Sequence, residues 1–309
     1  VTLDAALEGA LDATAGERLR LTLRTAGAAF EDPGLGLRLD PLELRAEAEG
    51  GAARLDLSAT GAGGATATLQ ASLDLDPEDL NLRAEGRVPL ALAQPVLGDT
   101  ATVDGRLDLS AELDGPADPA NLAATARLSG GSVLLPDLGL GLTALGGEVR
   151  LAGLVADVDL GGQLAGAGQI GVSGSVDLAG APDLDLTATG QLPLGLLEDL
   201  TGTLSLSGTA AFDLAVQGPP APGSVRGTVT LSEVAAFDPA YRPSLTGAGG
   251  TISLDGERAT LDIEGSIPDG GTLGVSGSVA LAPPFAADIA AAIDGAVLRQ
   301  PGLLDTTAD

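Results

Sequence analysis

Acid–base chemistry in this 309-residue chain would fall to its 43 Asp and Glu residues, because it holds no His and no Cys, and its 15 basic residues are all Arg. Without His, Cys or Lys there is no Ser-His-Asp or Cys-His nucleophile and no ordinary zinc set. The carboxylates closest to acting in pairs are Asp74/Asp76, Asp157/Asp159 and Asp183/Asp185. Each pair is spaced two residues apart, which puts both members on one face of a strand. The surrounding alternation makes that face the solvent side, so a hydrated acidic surface is expected there. Gly166-Ala-Gly168-Gln-Ile-Gly171 spells the dinucleotide fingerprint. That fingerprint needs a helix after the glycines, and here an alternating Ile170, Val172, Val176 series predicts a strand. Gly161 to Gln169 has the glycine content of a calcium β-roll but no Asp. Tyr241, the sole tyrosine, reads as a packing or loop residue. No metal, cofactor or enzymatic activity is expected.

Composition narrows the function classes further. A net charge of −28 opposes nucleic acid, which needs a basic face, and disfavours docking on an anionic lipid surface. Apolar residues make up 44%, enough to bury extensive surface, so order is expected despite 46 Gly and 19 Pro. No apolar run is long enough to span a bilayer as a helix. No signal-peptide pattern opens the chain. A start on Val1 in place of Met reads as a chain excised from something longer, with any anchor outside it.

The elements that would position a site repeat along the chain. Ser72-Leu-Asp-Leu75, Ser175-Val-Asp-Leu178 and Ser278-Val-Ala-Leu281 are spaced by 103 residues, as are Pro33, Pro136 and Pro239. Gly105 and Gly208 keep the same spacing, and so do Gly115 and Gly218. A fixed period marks a repeat architecture whose units share a core with their neighbours. Three units are expected, 1–97, 98–200 and 201–309, forming one continuous body.

Within the units the pattern is strand almost throughout. Thr102 to Leu113 sets Val103, Gly105, Leu107, Leu109, Ala111 and Leu113 on one face. Thr102, Asp104, Arg106, Asp108, Ser110 and Glu112 fall on the other. Such period-2 alternation is the mark of a half-buried antiparallel strand, and it fixes register. Leu19, Leu21 and Leu23 repeat it, followed by Ile170, Val172, Val176 and Leu178. Val225, Val229 and Leu231 continue the series, and Leu273, Val275, Val279 and Leu281 close it. Turn signals at Asp114-Gly-Pro, Gly146-Gly147, Gly180-Ala-Pro, Gly218-Pro-Pro, Asp255-Gly256, Asp269-Gly-Gly and Pro283-Pro284 imply about eight strands per repeat. Short helical turns are expected after Pro89 and Pro193. The fold class is all-β, a long curled antiparallel repeat sheet. Its apolar face either closes on itself as a core or lines an open groove for an apolar ligand. The small aliphatic lining, continued through three repeats, favours the groove.

Several of these stretches resemble the TamB and AsmA-like family of bridge-type lipid transfer proteins. They are Gly105-Arg-Leu-Asp-Leu109, Asp114-Gly-Pro116, Ser132-Val-Leu-Leu-Pro136, Leu145-Gly-Gly147 and Gly168 to Leu178. Gly227-Thr-Val-Thr-Leu231, Phe237-Asp-Pro239, Gly249 to Leu254 and Gly271 to Leu281 carry the likeness into the third repeat. The resemblance implies a taco-like curled sheet whose inner groove takes phospholipid acyl chains. It also implies a periplasmic setting between inner and outer membranes, anchored to the inner membrane through a segment outside this chain, with an Omp85-family (TamA-like) barrel as partner. The resemblance also implies a link to autotransporter assembly, and the alternative reading of the chain is a periplasmic scaffold for outer-membrane or autotransporter proteins whose exposed strand edge pairs with client strands.

Overall fold

The computed structural model describes the chain except residues 1, 15–17, 33–36, 50–51, 76–77, 99, 137–139, 165–167, 198–203, 238–243, 269, 301–303 and 309. Pro33, Asp76, Gly166, Pro239 and Tyr241 lie outside the described residues.

The fold is all-β and antiparallel, as the alternation predicts. The strands in chain order are β1 (Thr2–Thr14), β2 (Arg18–Asp32), β3 (Leu37–Glu49), β4 (Ala52–Gly61), β5 (Thr66–Leu75), β6 (Glu78–Pro89) and β7 (Thr102–Gly115). Then come β8 (Leu122–Leu135), β9 (Leu140–Ala152), β10 (Val155–Leu164), β11 (Gly168–Asp177), β12 (Asp183–Pro193) and β13 (Ser205–Gly218). They are followed by β14 (Val225–Phe237), β15 (Ser244–Asp255), β16 (Arg258–Ser266), β17 (Thr272–Ala280) and β18 (Ala287–Asp294), with a hairpin of β19 (Ala296–Gln300) and β20 (Leu304–Ala308). The expected helical turns are present, a 3₁₀ segment at Leu90–Ala93 leading into α1 (Gln94–Leu97), and another 3₁₀ turn at Leu194–Leu197.

The 103-residue period is written in the backbone. β7 and β13 start at Thr102 and Ser205, and β8 and β14 start at Leu122 and Val225. The 3₁₀ turns Pro119–Asn121 and Pro222–Ser224 between them keep the same interval. Among the described residues one period holds six strands, β7–β12 or β13–β18, and not the eight or so expected. The difference arises because some glycines that read as turns lie inside strands. Gly146-Gly147 sits in the middle of β9. Gly147 takes φ +138, and a Cβ there would strike the carbonyl oxygen of Asp159 on β10. A residue without a side chain lets the two backbones close without breaking the strand.

The chain divides into two compact units. The first comprises Val1–Pro136, Gly141–Leu160 and Asp177–Ala179, and the second comprises Asp137–Leu140, Gly161–Val176 and Gly180–Asp309. In the first unit β1 to β8 pair in chain order, each antiparallel to the next. In the second, β12 to β18 do the same. Burial is shallow. The buried apolar residues are mainly alanines, Ala59, Ala65, Ala101, Ala156, Ala210 and Ala248, with Leu194, and no large described side chain is fully buried. Ile289 and Ile293 of β18 remain about half exposed, and all eight residues of that strand are exposed.

Candidate functional site

Directly opposed residues of an antiparallel pair project to the same face, so the registers show what each face carries. In the first unit Ala48 opposes Ala53, Ala53 opposes Leu73, and Leu73 opposes Leu80. A second rung runs Leu44, Leu57, Leu69, Ala84, Ala111, Ala124. A third runs Ala59, Ala67, Gly86, Leu109, Ala126, and a fourth joins Val88, Leu107 and Leu128. An unbroken apolar ladder therefore crosses the strands at right angles. The opposite face is charged, with Arg83 bonded to Glu112 at 2.8 Å and Arg87 to Asp108 at 2.9 Å. Such exposed pairs contribute about 0–1 kcal/mol each and chiefly keep that face in water.

On the apolar face the rungs enclose a furrow of about 530 Å³. Its floor is made of small residues, Ala67, Ala84, Gly86, Ala111, Ala124 and Ala126, and larger residues, Leu57, Leu69, Val88, Leu109, Val149 and Leu151, flank it. The furrow crosses β4 to β9, a span of roughly 24 Å at the usual strand spacing. That is close to the length of an extended long acyl chain. A smaller apolar hollow of about 250 Å³ adjoins Ala46, Ala48, Ala53, Leu55, Ala71 and Leu73.

The expected lining residues are distributed as follows. Val103, Leu107, Leu109, Ala111 and Leu113 share the apolar face of β7, and Leu109 and Ala111 line the furrow itself. Leu19, Leu21 and Leu23 take their places in β2 by register, opposite Ala13, Leu11 and Gly9, and their side chains lie outside the described residues. In the second unit Val229 and Leu231 belong to rungs that continue through β13, β14 and β15, for example Phe212, Val229, Ile252, and Val225 stands opposite Val216 of β13. Leu273, Val275 and Val279 stand opposite Gly265, Ile263 and Ala259. Ile170, Val172 and Val176 are half-buried in β11, which is a strand where the dinucleotide fingerprint would need a helix. Leu178 and Leu281 depart from the expectation. Both lie beyond their strands, and Leu178 is 43% exposed. Asp177 accepts a hydrogen bond from the Ala179 N–H at 2.8 Å and so bends the chain there. The Leu178 and Leu281 amides are tied to the carbonyls of Leu154 and Glu257.

Two features escaped the sequence reading. The first is the furrow's position, since Ala84, Ala111 and Ala124 meet through register across three strands. The second is a recurrent contact between an in-strand glycine and an aspartate carbonyl of the neighbouring strand: Gly147 with Asp159, Gly174 with Asp185, and Gly277 with Asp288. Asp159 and Asp185 had drawn attention as carboxylates, but their main chains make this contact. The 103-residue spacing of Gly174 and Gly277, and of Asp185 and Asp288, was the available signal. No cluster of three or more His, Cys, Asp or Glu placed to hold a metal occurs among the described residues. No described helix is long and apolar enough to cross a membrane.

The charged face has one concentrated point. Glu148 on β9 accepts from Arg127 at 2.6 Å and from Arg150 at 2.5 Å, and its side chain is 15% exposed. The Arg127 hydrogen bond, more than the Arg150 charge, holds its carboxyl below the ordinary carboxylate value, while burial opposes the shift. A depressed folded-state pKa contributes stability above the ordinary pKa and loses it as pH falls through the folded value. Glu148→Gln is therefore expected to lower Tm at neutral pH. The gap from the parent should close in acid, below the ordinary carboxylate range, as followed by circular-dichroism melts across pH. A gap independent of pH would show that the ion pairs are not its source.

No family model, curated protein or solved structure matches this chain. The functional reading therefore rests on the furrow and the ladder.

Proposed function

We propose that this chain is a non-enzymatic segment of a hydrophobic conduit that carries phospholipids by their acyl chains between the two membranes of a bacterial envelope. The observation that carries the reading is an apolar ladder, continuous from rung to rung, on which no large described side chain is fully buried. A closed core would bury its leucines, whereas a groove leaves them half-covered until a ligand arrives. The likeness to the TamB and AsmA-like family supports the periplasmic setting and an Omp85-family barrel as partner.

Magnitudes suit transfer better than storage. Full burial of a methylene is worth about 0.8 kcal/mol, and a furrow that covers one side of the chain recovers roughly half of it. A long acyl chain then gains on the order of 6 kcal/mol before the cost of association, an estimated 4–15 kcal/mol, is subtracted. The ladder offers near-equivalent positions on either side, so a bound chain can shift from one to the next.

The test is mass spectrometry of lipid extracted from chain purified without detergent. Phospholipid at one or more molecules per chain is expected. A lipid-free, monodisperse and stable protein that also takes up none when mixed with phospholipid vesicles would overturn the reading. The eight exposed residues of β18 favour a second reading in that event, a scaffold that pairs with strands of outer-membrane or autotransporter proteins during assembly.

A further inference from the structure

The 103-residue repeat, with a one-residue offset at Gly86 and Gly190, places a second copy of the furrow's central cell in the second unit, and the two copies differ. In the first unit the cell is Gly86, Leu109 and Ala126 on consecutive strands, continued by Val149. In the second it is Gly190, Phe212, Val229 and Ile252. Three of the four positions carry a larger side chain in the second unit.

The geometry at the glycines shows the result. A Cβ placed on Gly86 would have the Leu109 Cβ 3.9 Å away and the Thr66 carbonyl oxygen 3.5 Å away, both ordinary contacts, and the furrow opens over it. A Cβ placed on Gly190 would lie 2.5 Å from the Phe212 Cζ, because the ring lies over that glycine. Phe212 thus fills with hydrocarbon of the protein's own the space that is vacant over Gly86. The furrow's preferred occupant is displayed inside the same molecule.

Resting on the conduit reading, the geometry points to Phe212 as a specificity-determining plug. It closes the second unit's cell to acyl chains, and the first unit's furrow is the open berth. The net charge of −28 repels anionic ligands, so the berth suits a zwitterionic or neutral lipid.

The experiment counts bound palmitoyl lysophosphatidylcholine per full chain by native mass spectrometry, with far-UV circular dichroism to show that each variant is folded. Leu109→Phe with Ala126→Val gives the first cell two of the second cell's three larger residues, the ring included, and should lose one molecule per chain. Phe212→Leu with Val229→Ala makes the reverse exchange and should gain one. Unchanged counts in either pair, with the parent chain still binding, would overturn the plug and leave the conduit reading standing. No binding by the parent or by the opened variant would overturn both.

Discussion

Leu109→Asp is expected to weaken acyl-chain binding at least tenfold while the protein stays folded. Leu109 is 38% exposed on the wall of the furrow, so an aspartate there stays hydrated in the empty protein, and folding tolerates it. A bound acyl chain strips that water from a carboxylate with no partner on its face, since the neighbours on its rung are Gly86 and Ala126. Desolvating an unpaired charge costs more than the roughly 1.4 kcal/mol that corresponds to a factor of ten. Asp108→Asn is the matched control. Asp108 points to the other face, where it bonds Arg87 at 2.9 Å and lies 3.6 Å from Arg106. Its loss should leave binding within a factor of about two, since an exposed pair of this kind is worth about 0–1 kcal/mol. Titration with a fluorescent lysophospholipid separates the two. Equal affinities for both variants would remove the furrow from the account.

Gly227→Ala should be among the most destabilising single-methyl changes in the chain. Gly227 lies within β14 at φ +136, and a Cβ there would meet the carbonyl oxygen of Asp213 and sit 2.8 Å from the Leu214 Cα. Both are backbone atoms of the paired strand β13, so no rotamer change relieves the contact. The dihedral region costs about 1–3 kcal/mol for a residue with a side chain, and separating the strands adds to it, for a total of about 3 kcal/mol or more. Gly86→Ala is the comparison, because its backbone is not at positive φ and its nearest atom is 3.5 Å from the added carbon. A change within about 1 kcal/mol is expected there. Urea midpoints of the two variants decide it, and similar midpoints would mean that the strand approach at Gly227 is not rigid.

The alternation of Val103, Leu107, Ala111 and Leu113 against charged neighbours was legible because each strand stores its face in every second letter. The period was legible because equivalent turns keep equivalent residues, such as Gly115 and Gly218. The strand count was less so, since Gly146-Gly147 uses the letters of a turn for a close approach inside a strand. Leu178 fell outside its series because Asp177 caps the chain and bends it, a local hydrogen bond that apolar periodicity does not register. The furrow was out of reach of any single strand, since its floor is assembled from β5 to β8. Its closure in the second unit depends on which residue opposes Gly190, and that is a matter of register.

The shallow burial of the described residues carries a calorimetric consequence. The heat-capacity increment of unfolding, and the denaturant slope with it, scales with the apolar area newly exposed. Alanines dominate the buried set and the leucines of the ladder are already in partial contact with water. The empty protein should therefore unfold with a smaller heat-capacity change per residue than the usual 12–15 cal/mol/K or so, and its stability should vary gently with temperature. Occupied rungs would be shielded, so a loaded protein should show a larger increment and a more sharply curved stability profile than the empty one.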